Sequence, residues 1–259
     1  MYIHNLDPVL FNFGSFVIRW YSLAYILGIF AGWWLGKRII YRKLNTLNFN
    51  FDIKEFDNLI TYIIVSIIVG GRLGYVLFYN FEYYILSPID VFKIWKGGMS
   101  FHGALIGIIL GTYLFSIKKN ISTFFLLDVI ACVSPIGIFF GRIANFINGE
   151  LVGKTTSVPW GVIFPQFDAF SRHPSQLYEA ILEGLILFVI MNLLLFRKNY
   201  IIGTCSYMFL LLYGCFRIFS EFFREPDVQI GYLLNFISMG TLLSIFMIIG
   251  GIIILLKRR

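Results

Sequence analysis

The sequence predicts an all-α polytopic membrane protein built as a bundle of about seven transmembrane helices. The chain has 259 residues, of which 58% are hydrophobic and only 14% are charged, and its mean hydropathy is +0.80. Soluble domains carry about 25% charged residues, so this composition is typical of a protein solvated by lipid. A transmembrane helix needs about 20 mostly apolar residues, and the chain has room for about seven.

Seven apolar runs define the expected helices. They cover residues of about 17–36, 58–79, 100–117, 122–141, 176–196, 201–220 and 235–256. Each run is about as long as the hydrocarbon core of a bilayer requires. Nothing in the composition along the chain indicates a second domain, so residues 1–259 are expected to form a single integral-membrane domain.

The basic residues between the runs predict the orientation of the bundle. Twelve of the 21 Lys and Arg residues follow the first, third, fifth and seventh runs: Lys37, Arg38, Arg42, Lys43, Lys54, Lys118, Lys119, Arg197, Lys198, Lys257, Arg258 and Arg259. Cytoplasmic loops are enriched in such residues, so the N-terminus is expected outside and the C-terminus inside. The connections 80–99 and 142–175 then lie on the outer side, where their aromatic residues, Pro and Gly suit non-spanning segments at the headgroup level.

Two of the runs carry glycine at every fourth position. These glycines are Gly28, Gly32 and Gly36 in the first run and Gly103, Gly107 and Gly111 in the third. On a helix this spacing places them on one face, where small residues let neighbouring backbones approach closely. The pattern predicts tight helix packing.

Several function classes are disfavoured by composition. The net charge is +7, but the chain has no polar surface large enough to bind nucleic acid, and basic residues at helix ends suit anionic lipid headgroups. Cys132, Cys205 and Cys215 lie inside apolar runs without metal-type spacing, and the three histidines are scattered. We therefore expect neither a metal site nor a cofactor.

Residues 213–224, YGCFRIFSEFFR, place polar groups at helical spacing within an apolar run. Tyr213, Arg217, Glu221 and Arg224 lie at i, i+4, i+8 and i+11, which puts them on one stripe of a helix. A charged side chain in the hydrocarbon region costs at least about 2.5–3.5 kcal/mol, so such residues usually face a cavity and serve function. The structural alternative is an Arg217–Glu221 pair that only satisfies itself.

The end of the fourth run, GRIANFINGELVG at residues 141–153, holds a second polar group. On a helix Arg142 and Asn145 share a face, and the glycines that follow permit a sharp turn. A guanidinium offers forked donors suited to a phosphate, while Asn148 and Glu150 can bind hydroxyls or orient the arginine. Ordinary capping of a helix end explains the glycines but not the arginine, two asparagines and glutamate.

Three further residues are candidates on the outer side of the bundle. His102, in GGMSFHG at 97–103, can act as a base or hydrogen-bond donor near neutral pH. Arg72 is another cation expected to be buried, near the outer end of the second run. Tyr21, in the first run, is placed to reach the same cavity.

The chain resembles the prolipoprotein diacylglyceryl transferase family in several blocks that follow one another in the same order. The strongest is GRIANFINGELVG at 141–153. The others are RWY at 19–21, GGRLGYVLFYN at 70–80, GGMSFHG at 97–103, RHPSQLYE at 172–179 and YGCFRIFSEFFREPD at 213–227. The resemblance extends over nearly the whole chain.

The resemblance implies a reaction and its partners. Members of the family move the diacylglyceryl group of phosphatidylglycerol onto the thiol of a lipobox cysteine in the signal peptide of a preprolipoprotein, in the bacterial inner membrane with the site toward the periplasm. A thioether forms and glycerol 1-phosphate leaves. Because the nucleophile belongs to the substrate, the chain's own cysteines need no catalytic role.

For this reaction, our hypothesis assigns roles to the candidate residues. Arg142 and Arg217 are expected to hold the phosphate, and His102 to act as the base or its relay. Tyr213 and Glu221 would orient Arg217. The remaining candidates would bind phosphatidylglycerol: Asn145, Asn148, Glu150, Gly153, Tyr21 and Arg72.

A lipid transporter or flippase is the alternative from another class, because interior charges also mark transport paths. A transporter is expected to show inverted repeats and charges that reach both membrane faces. The sequence shows no repeat, and its polar cluster is confined to the expected outer half.

Overall fold

The structure is a computed structural model that describes residues 2–14, 16–47, 51–226, 231–233 and 237–257. Most of these residues are helical, as the hydropathy predicts. The principal helices are α1 (Trp20–Leu47), α2 (Glu55–Tyr79), α3 (Phe81–Leu86), α4 (Phe101–Lys119), α5 (Thr123–Asn148), α6 (Ser175–Glu179), α7 (Leu187–Leu195), α8 (Thr204–Glu221) and α9 (Met239–Lys257). A π-helical segment, Ala180–Ile186, joins α6 to α7 without a break.

Six stretches of helix among the described residues are long and apolar enough to cross a membrane. They are Trp20–Leu44, Glu55–Tyr79, Phe101–Lys119, Thr123–Asn148, Ser175–Leu195 and Met239–Lys257. The run expected at 201–220 forms α8, which carries Arg217 and Glu221 and is not among the six. A polytopic membrane protein is confirmed, while the count of seven spans and the orientation stay predictions.

Short strands, which the sequence did not predict, occupy the chain before and between the helices. They are β1 (Tyr2–Ile3), β2 (Val9–Phe13), β3 (Phe16–Arg19), β4 (Val162–Ile163), β5 (Ser171–Arg172), β6 (Tyr232–Leu233) and β7 (Ile237–Ser238). β4 pairs in parallel with β1 and antiparallel with β5. Val152, Val162 and Phe164 form a small buried core beside this sheet, so part of the 142–175 connection is a folded element rather than a plain loop.

The described chain divides into two compact units, one of Met1–Gly36 with Ile130–Arg259 and the other of Lys37–Val129. In the second unit α2 and α4 pack through their glycines. A Cβ at Gly74 would lie 2.6 Å from the Cα of Gly103, and one at Gly70 would lie 2.9 Å from the Cα of Gly107. These distances are too short for side chains, so the packing predicted for the glycines of the third run is confirmed.

In the first unit, glycines again allow close helix contacts. A Cβ at Gly28 would lie 2.9 Å from the Cα of Gly137, which brings α1 against α5. A Cβ at Gly184 would lie 2.8 Å from the Cα of Phe139, which brings the π-helical segment against α5. These contacts set the distance between the helices that carry the polar residues described next.

Candidate active site

A buried carboxylate, Glu179 at the end of α6, joins arginines from two other helices. Its Oε2 lies 2.8 Å from Nη1 of Arg142 on α5, and its Oε1 lies 2.7 Å from Nη1 of Arg217 on α8. The Glu179 side chain is only 1% exposed. The two arginines therefore point toward one anion, and that shared anion offsets the repulsion between them.

Glu183, one turn further along on the π-helical segment, contacts the same two arginines. Its Oε2 accepts a hydrogen bond from Nη2 of Arg142 at 3.0 Å. Its Oε1 lies 3.7 Å from Nη1 of Arg217 and accepts no hydrogen bond from the described part of the chain. The side chain is fully buried. π-Helical segments are rare and are frequently found at functional sites, which fits the placement of Glu183 within this segment and of Glu179 directly before it.

Two more charged residues extend the group on the α8 side. Arg217 forms a third ion pair, through Nη2, with Glu221 one turn later. Glu221 in turn accepts a hydrogen bond from the Ser238 hydroxyl at 2.8 Å. Arg224 lies 3.3 Å from Oε1 of Glu179. α8 ends at Glu221, so the helical stripe predicted to reach Arg224 stops one turn early, although Arg224 still joins the group.

We call these six residues the charge cluster: Arg142, Glu179, Glu183, Arg217, Glu221 and Arg224. Three cations and three anions balance when all are ionised. The Arg217–Glu221 pair considered above as a structural alternative is present, but it is one edge of a larger network. Removing a single member of a buried network leaves an uncompensated charge and costs about 3–5 kcal/mol.

Tyr213 lies one turn before Arg217 on α8. Its side chain is only 1% exposed, and its ring stacks on Phe209 at a centroid distance of 5.6 Å. The polar stripe of Tyr213, Arg217 and Glu221 thus faces the interior of the first unit, as its spacing predicts.

A second polar group forms where α5 ends. Asn145, one turn after Arg142, donates to Oε1 of Glu150 at 2.8 Å and also to the hydroxyl of Tyr21. The chain reverses between the two residues because Gly149 has a φ of +64°, a conformation that glycine adopts without strain. The predicted turn therefore brings Glu150 back over the end of its own helix.

The chain after this turn is fastened to the start of α6. Gln176 donates to the carbonyl of Glu150 at 2.7 Å, and the Ser175 hydroxyl donates to the carbonyl of Leu151 at 3.1 Å. Both anchoring side chains are fully buried. Because α6 also presents Glu179, this anchoring ties the Asn145–Glu150 group to the charge cluster.

Gly153 and Asn148 occupy more structural positions. A Cβ at Gly153 would lie 2.7 Å from the carbonyl oxygen of Phe223, so glycine is required there by close backbone packing. The backbone carbonyl of Asn148 accepts from Gln166 at 3.0 Å. Its side-chain oxygen is buried and accepts no hydrogen bond within the described ranges.

Arg172 on β5 holds the same turn from the other side. It donates to the carbonyl of Gly153 at 2.8 Å and forms ion pairs with Asp168 and Glu225. The hydrogen bonds from Arg172 lower the pKa of the Asp168 carboxyl below its ordinary value, and the same contact raises the pKa of Arg172. Arg172, Asp168 and Glu225 together form what we call the charged brace, which lies beside the second polar group.

The other two predicted site residues, His102 and Arg72, belong to the second unit. His102 lies in the first turn of α4, next to the ring of Phe101. Arg72 is buried on α2 and donates to backbone carbonyls of the segment between α3 and α4. That contact differs from the lipid contact expected for Arg72.

Comparison with known proteins identifies the family. The family model described as prolipoprotein diacylglyceryl transferase matches residues 8–257. The chain belongs to this family. The resemblance drawn from the sequence motifs is thus confirmed.

Other members of the prolipoprotein diacylglyceryl transferase family match this chain over nearly its whole length. A protein of Ehrlichia ruminantium is 50% identical over 260 residues, which cover 98% of both chains. Proteins of Rickettsia bellii and Wolbachia pipientis are 48% and 49% identical over 255 residues, which cover 98% and 97% of this chain and 95% of each relative. All three are named phosphatidylglycerol–prolipoprotein diacylglyceryl transferase.

For this member of the prolipoprotein diacylglyceryl transferase family, the site residues that the sequence prediction missed are mostly carboxylates. Glu179 and Glu183 were not assigned a role, although two glutamates four residues apart inside an apolar run are a signal of an interior charge pair. Arg172 had no comparable signal, because it lies in a polar connection. Its place in the brace depends on the pairing of β5 with β4.

Proposed function

We propose that the chain transfers the diacylglyceryl group of phosphatidylglycerol to the lipobox cysteine of preprolipoproteins, the first step of lipoprotein maturation. The thiol sulfur forms a bond to the terminal glyceryl carbon, and the bond from that carbon to the phosphate oxygen breaks. The thiol proton passes to a base, and glycerol 1-phosphate leaves. Membership of the family and the names of the relatives support this activity.

The observation that carries the proposal is the meeting of Arg142 and Arg217 at Glu179, inside a protein made mainly of apolar helices. In the proposed reaction the phosphate gains negative charge as the carbon–oxygen bond breaks. Guanidinium groups held in place before the reaction stabilise that charge most where water is excluded. Two such groups with a common orientation suit a leaving phosphate.

The phosphate has to compete with carboxylates for these arginines. Among the contacts, the 3.7 Å approach of Arg217 to Oε1 of Glu183 is the longest. It is therefore the contact that a phosphate oxygen exchanges at the lowest cost. Glu179, between both arginines, remains in place in this proposal and keeps them together.

The neighbouring polar group then receives the rest of the headgroup. Asn145 and Glu150 are hydrogen-bonded to one another at the end of α5, which supports a role for both at the glycerol hydroxyls, with Asn148 and Gly153 also assigned to the headgroup. Tyr21 contacts Asn145 and would line the lipid cavity. Tyr213 and Glu221 would orient Arg217, as the Glu221 ion pair supports.

His102 is proposed as the base or its relay on the strength of its chemistry. A thiol has to lose its proton to become a strong nucleophile, and imidazole is the side chain that accepts protons near neutral pH. The membrane is proposed to be the bacterial inner membrane, with the site toward the periplasm. The six apolar helices support a multi-pass protein.

Incubation of the purified protein with phosphatidylglycerol and a peptide that contains a lipobox tests the activity. We expect the peptide mass to increase by one diacylglyceryl unit, with an equal amount of glycerol 1-phosphate released. A peptide with serine in place of its cysteine is the matched control and should stay unmodified. Movement of lipid across the vesicle membrane without any change in peptide mass would instead support a flippase.

A further inference from the structure

The guanidinium of Arg72 is fully used by one segment of backbone. Nε donates once, at 2.8 Å, and Nη1 and Nη2 donate twice each, at 2.5 and 3.2 Å and at 2.7 and 3.2 Å. An arginine has five N–H donors, so none is left over. The acceptors are the carbonyls of Asp90, Val91, Lys93, Gly97 and Gly98.

These hydrogen bonds explain how α2, a helix apolar enough to cross a membrane, can bury the charge of Arg72. Arg72 is only 3% exposed, and its guanidinium carbon lies 5.1 Å from the ring centroid of Tyr84. Burial of a cation is costly unless its charge is offset and its N–H groups are hydrogen-bonded. Five carbonyl oxygens and an aromatic face supply that compensation without any anionic ligand, so the lipid role expected for Arg72 has no donor to carry it.

The carbonyls that Arg72 binds lead directly into the first turn of α4. Gly97 and Gly98 both have positive φ, +80° and +82°, and their carbonyls accept from Nη1. Two residues later, the backbone N–H of Ser100 donates to the carbonyl of Gly71 at 2.9 Å. Adjacent residues of α2 thus hold the chain on both sides of residue 99.

The start of α4 is fixed by the same segment. The Ser100 hydroxyl accepts from the N–H of Gly103 at 3.2 Å, which is the contact of a helix N-cap. His102 lies between these two residues, four positions after the last carbonyl bound by Arg72. The backbone that carries the imidazole is therefore set by Arg72 through a short run of chain.

We propose that Arg72 is a positioning residue for His102. This inference rests on the proposed function, in which His102 handles the thiol proton. Arg72 contacts neither substrate nor reacting atoms; it fixes the direction in which the first turn of α4 presents the imidazole. A misplacement of about 1 Å at a reacting group can cost about 100-fold in rate.

A matched control separates positioning from general stability of the segment. Asp90 supports the same connection from its other end, since its carboxylate accepts from the Tyr83 hydroxyl at 2.6 Å and pairs with Lys93. Asp90→Asn weakens these contacts while the Arg72 contacts to Gly97 and Gly98 stay. Arg72→Ala thus removes contacts along the whole segment, Gly97 and Gly98 included, whereas Asp90→Asn removes contacts only near its start.

The experiment compares Arg72→Ala, Arg72→Lys and Asp90→Asn with the wild type in the transfer assay and by amide hydrogen exchange. For Arg72→Ala we expect kcat to fall about 10- to 100-fold, an unchanged KM for phosphatidylglycerol, and faster exchange over residues 97–103. Arg72→Lys retains the positive charge but not the planar set of five N–H donors, so we expect an intermediate kcat. Asp90→Asn should exchange faster near residues 83–93 and keep its kcat.

Different results would overturn the inference. A raised KM with unchanged kcat would make Arg72 a lipid-binding residue, and an equal loss of kcat in Asp90→Asn would make it a general support of the segment. Unchanged hydrogen exchange over residues 97–103 in Arg72→Ala would show that Arg72 does not order the segment that carries His102. If the wild type transfers nothing, the proposed function fails, and the exchange data still decide whether Arg72 orders the segment that carries His102.

Discussion

Oε1 of Glu179 lies 2.7 Å from Nη1 of Arg217, and the two side chains are only 1% and 9% exposed. The contact ties the end of α6 to α8. Because Oε2 of the same carboxylate lies 2.8 Å from Arg142, one anion holds two cations that would otherwise repel. The proposed phosphate site therefore depends on an acidic residue as much as on its arginines.

Glu179→Gln should destabilise the protein strongly. The substitution keeps the shape of the side chain but leaves the arginines around it without their shared anion, which costs about 3–5 kcal/mol. Glu221→Gln is the comparison, because Glu221 pairs with Arg217 alone among the arginines of the cluster. Thermal unfolding in detergent should show a larger drop for Glu179→Gln; equal melting temperatures for that variant and the wild type would contradict the bridging role.

Arg142→Ala and Arg217→Ala should each abolish most of the transfer activity. Loss of one donor aimed at a developing negative charge typically costs about 100- to 1,000-fold, and the carboxylates left behind would repel the phosphate. Binding of phosphatidylglycerol and peptide modification are the measurements. Arg197→Ala removes an exposed arginine beyond α7 and serves as the control; wild-type transfer by either cluster variant would refute the phosphate role.

His102→Gln should sharply reduce thioether formation while phosphatidylglycerol still binds. Glutamine can donate and accept hydrogen bonds but takes up no proton near neutral pH. The control is His173→Gln, since the His173 ring contacts Tyr178 and Phe223 and has no proposed role in the reaction. Single-turnover transfer with bound donor measures the effect, and unchanged turnover in His102→Gln would remove the assignment of the base.

Gly107→Ala should weaken the packing of α2 on α4. A Cβ at Gly107 would overlap the carbonyl oxygen of Ser66 and lie 3.2 Å from the Cα of Gly70, so the helices have to move apart. Gly250→Ala is the matched control, because a Cβ there meets nothing within 4 Å, and alanine favours a helix by up to about 1 kcal/mol. The melting temperature should fall for the first variant only; a fall of equal size in both would argue against close packing.

Asp168→Asn should lower stability at neutral pH and have little effect in strong acid. The pKa of Asp168 is lowered mainly by its hydrogen bonds from Arg172, so the folded state favours the ionised form. That contribution is present above the ordinary pKa of aspartate and is lost as the pH falls through the lower, folded value. Thermal unfolding measured from pH 7 downward should show the two proteins converging, and a constant difference would contradict the ion pair.

Helix spacing was sufficient to predict which residues share a face. Arg142 and Asn145 lie one turn apart on α5, and Tyr213, Arg217 and Glu221 share the interior side of α8, because the helical period of 3.6 residues is a local property. The turn at Gly149 was also predictable from local sequence, since a positive φ is a conformation that glycine adopts without strain. Local geometry needs no knowledge of the neighbouring helices.

The partners across helices could not be predicted in this way. Spacing does not tell which helix Glu179 faces, so the bridge to Arg142 and Arg217 depended on how α5, α6 and α8 pack. Arg72 illustrates the same difficulty. A buried arginine has the same local sequence whether its donors meet a phosphate or five carbonyl oxygens.

The sequence by itself determined that this is a membrane protein, which residues face its interior, and, through its motifs, the family to which it belongs. Composition and helical period are local properties of the chain, so they can be obtained from the sequence alone. Only the tertiary structure showed that Arg142 and Arg217 converge on Glu179 and that Arg72 donates to the backbone carbonyls of the segment before α4. Hydrogen bonds of about 3 Å between distant residues exist only after the helices have packed.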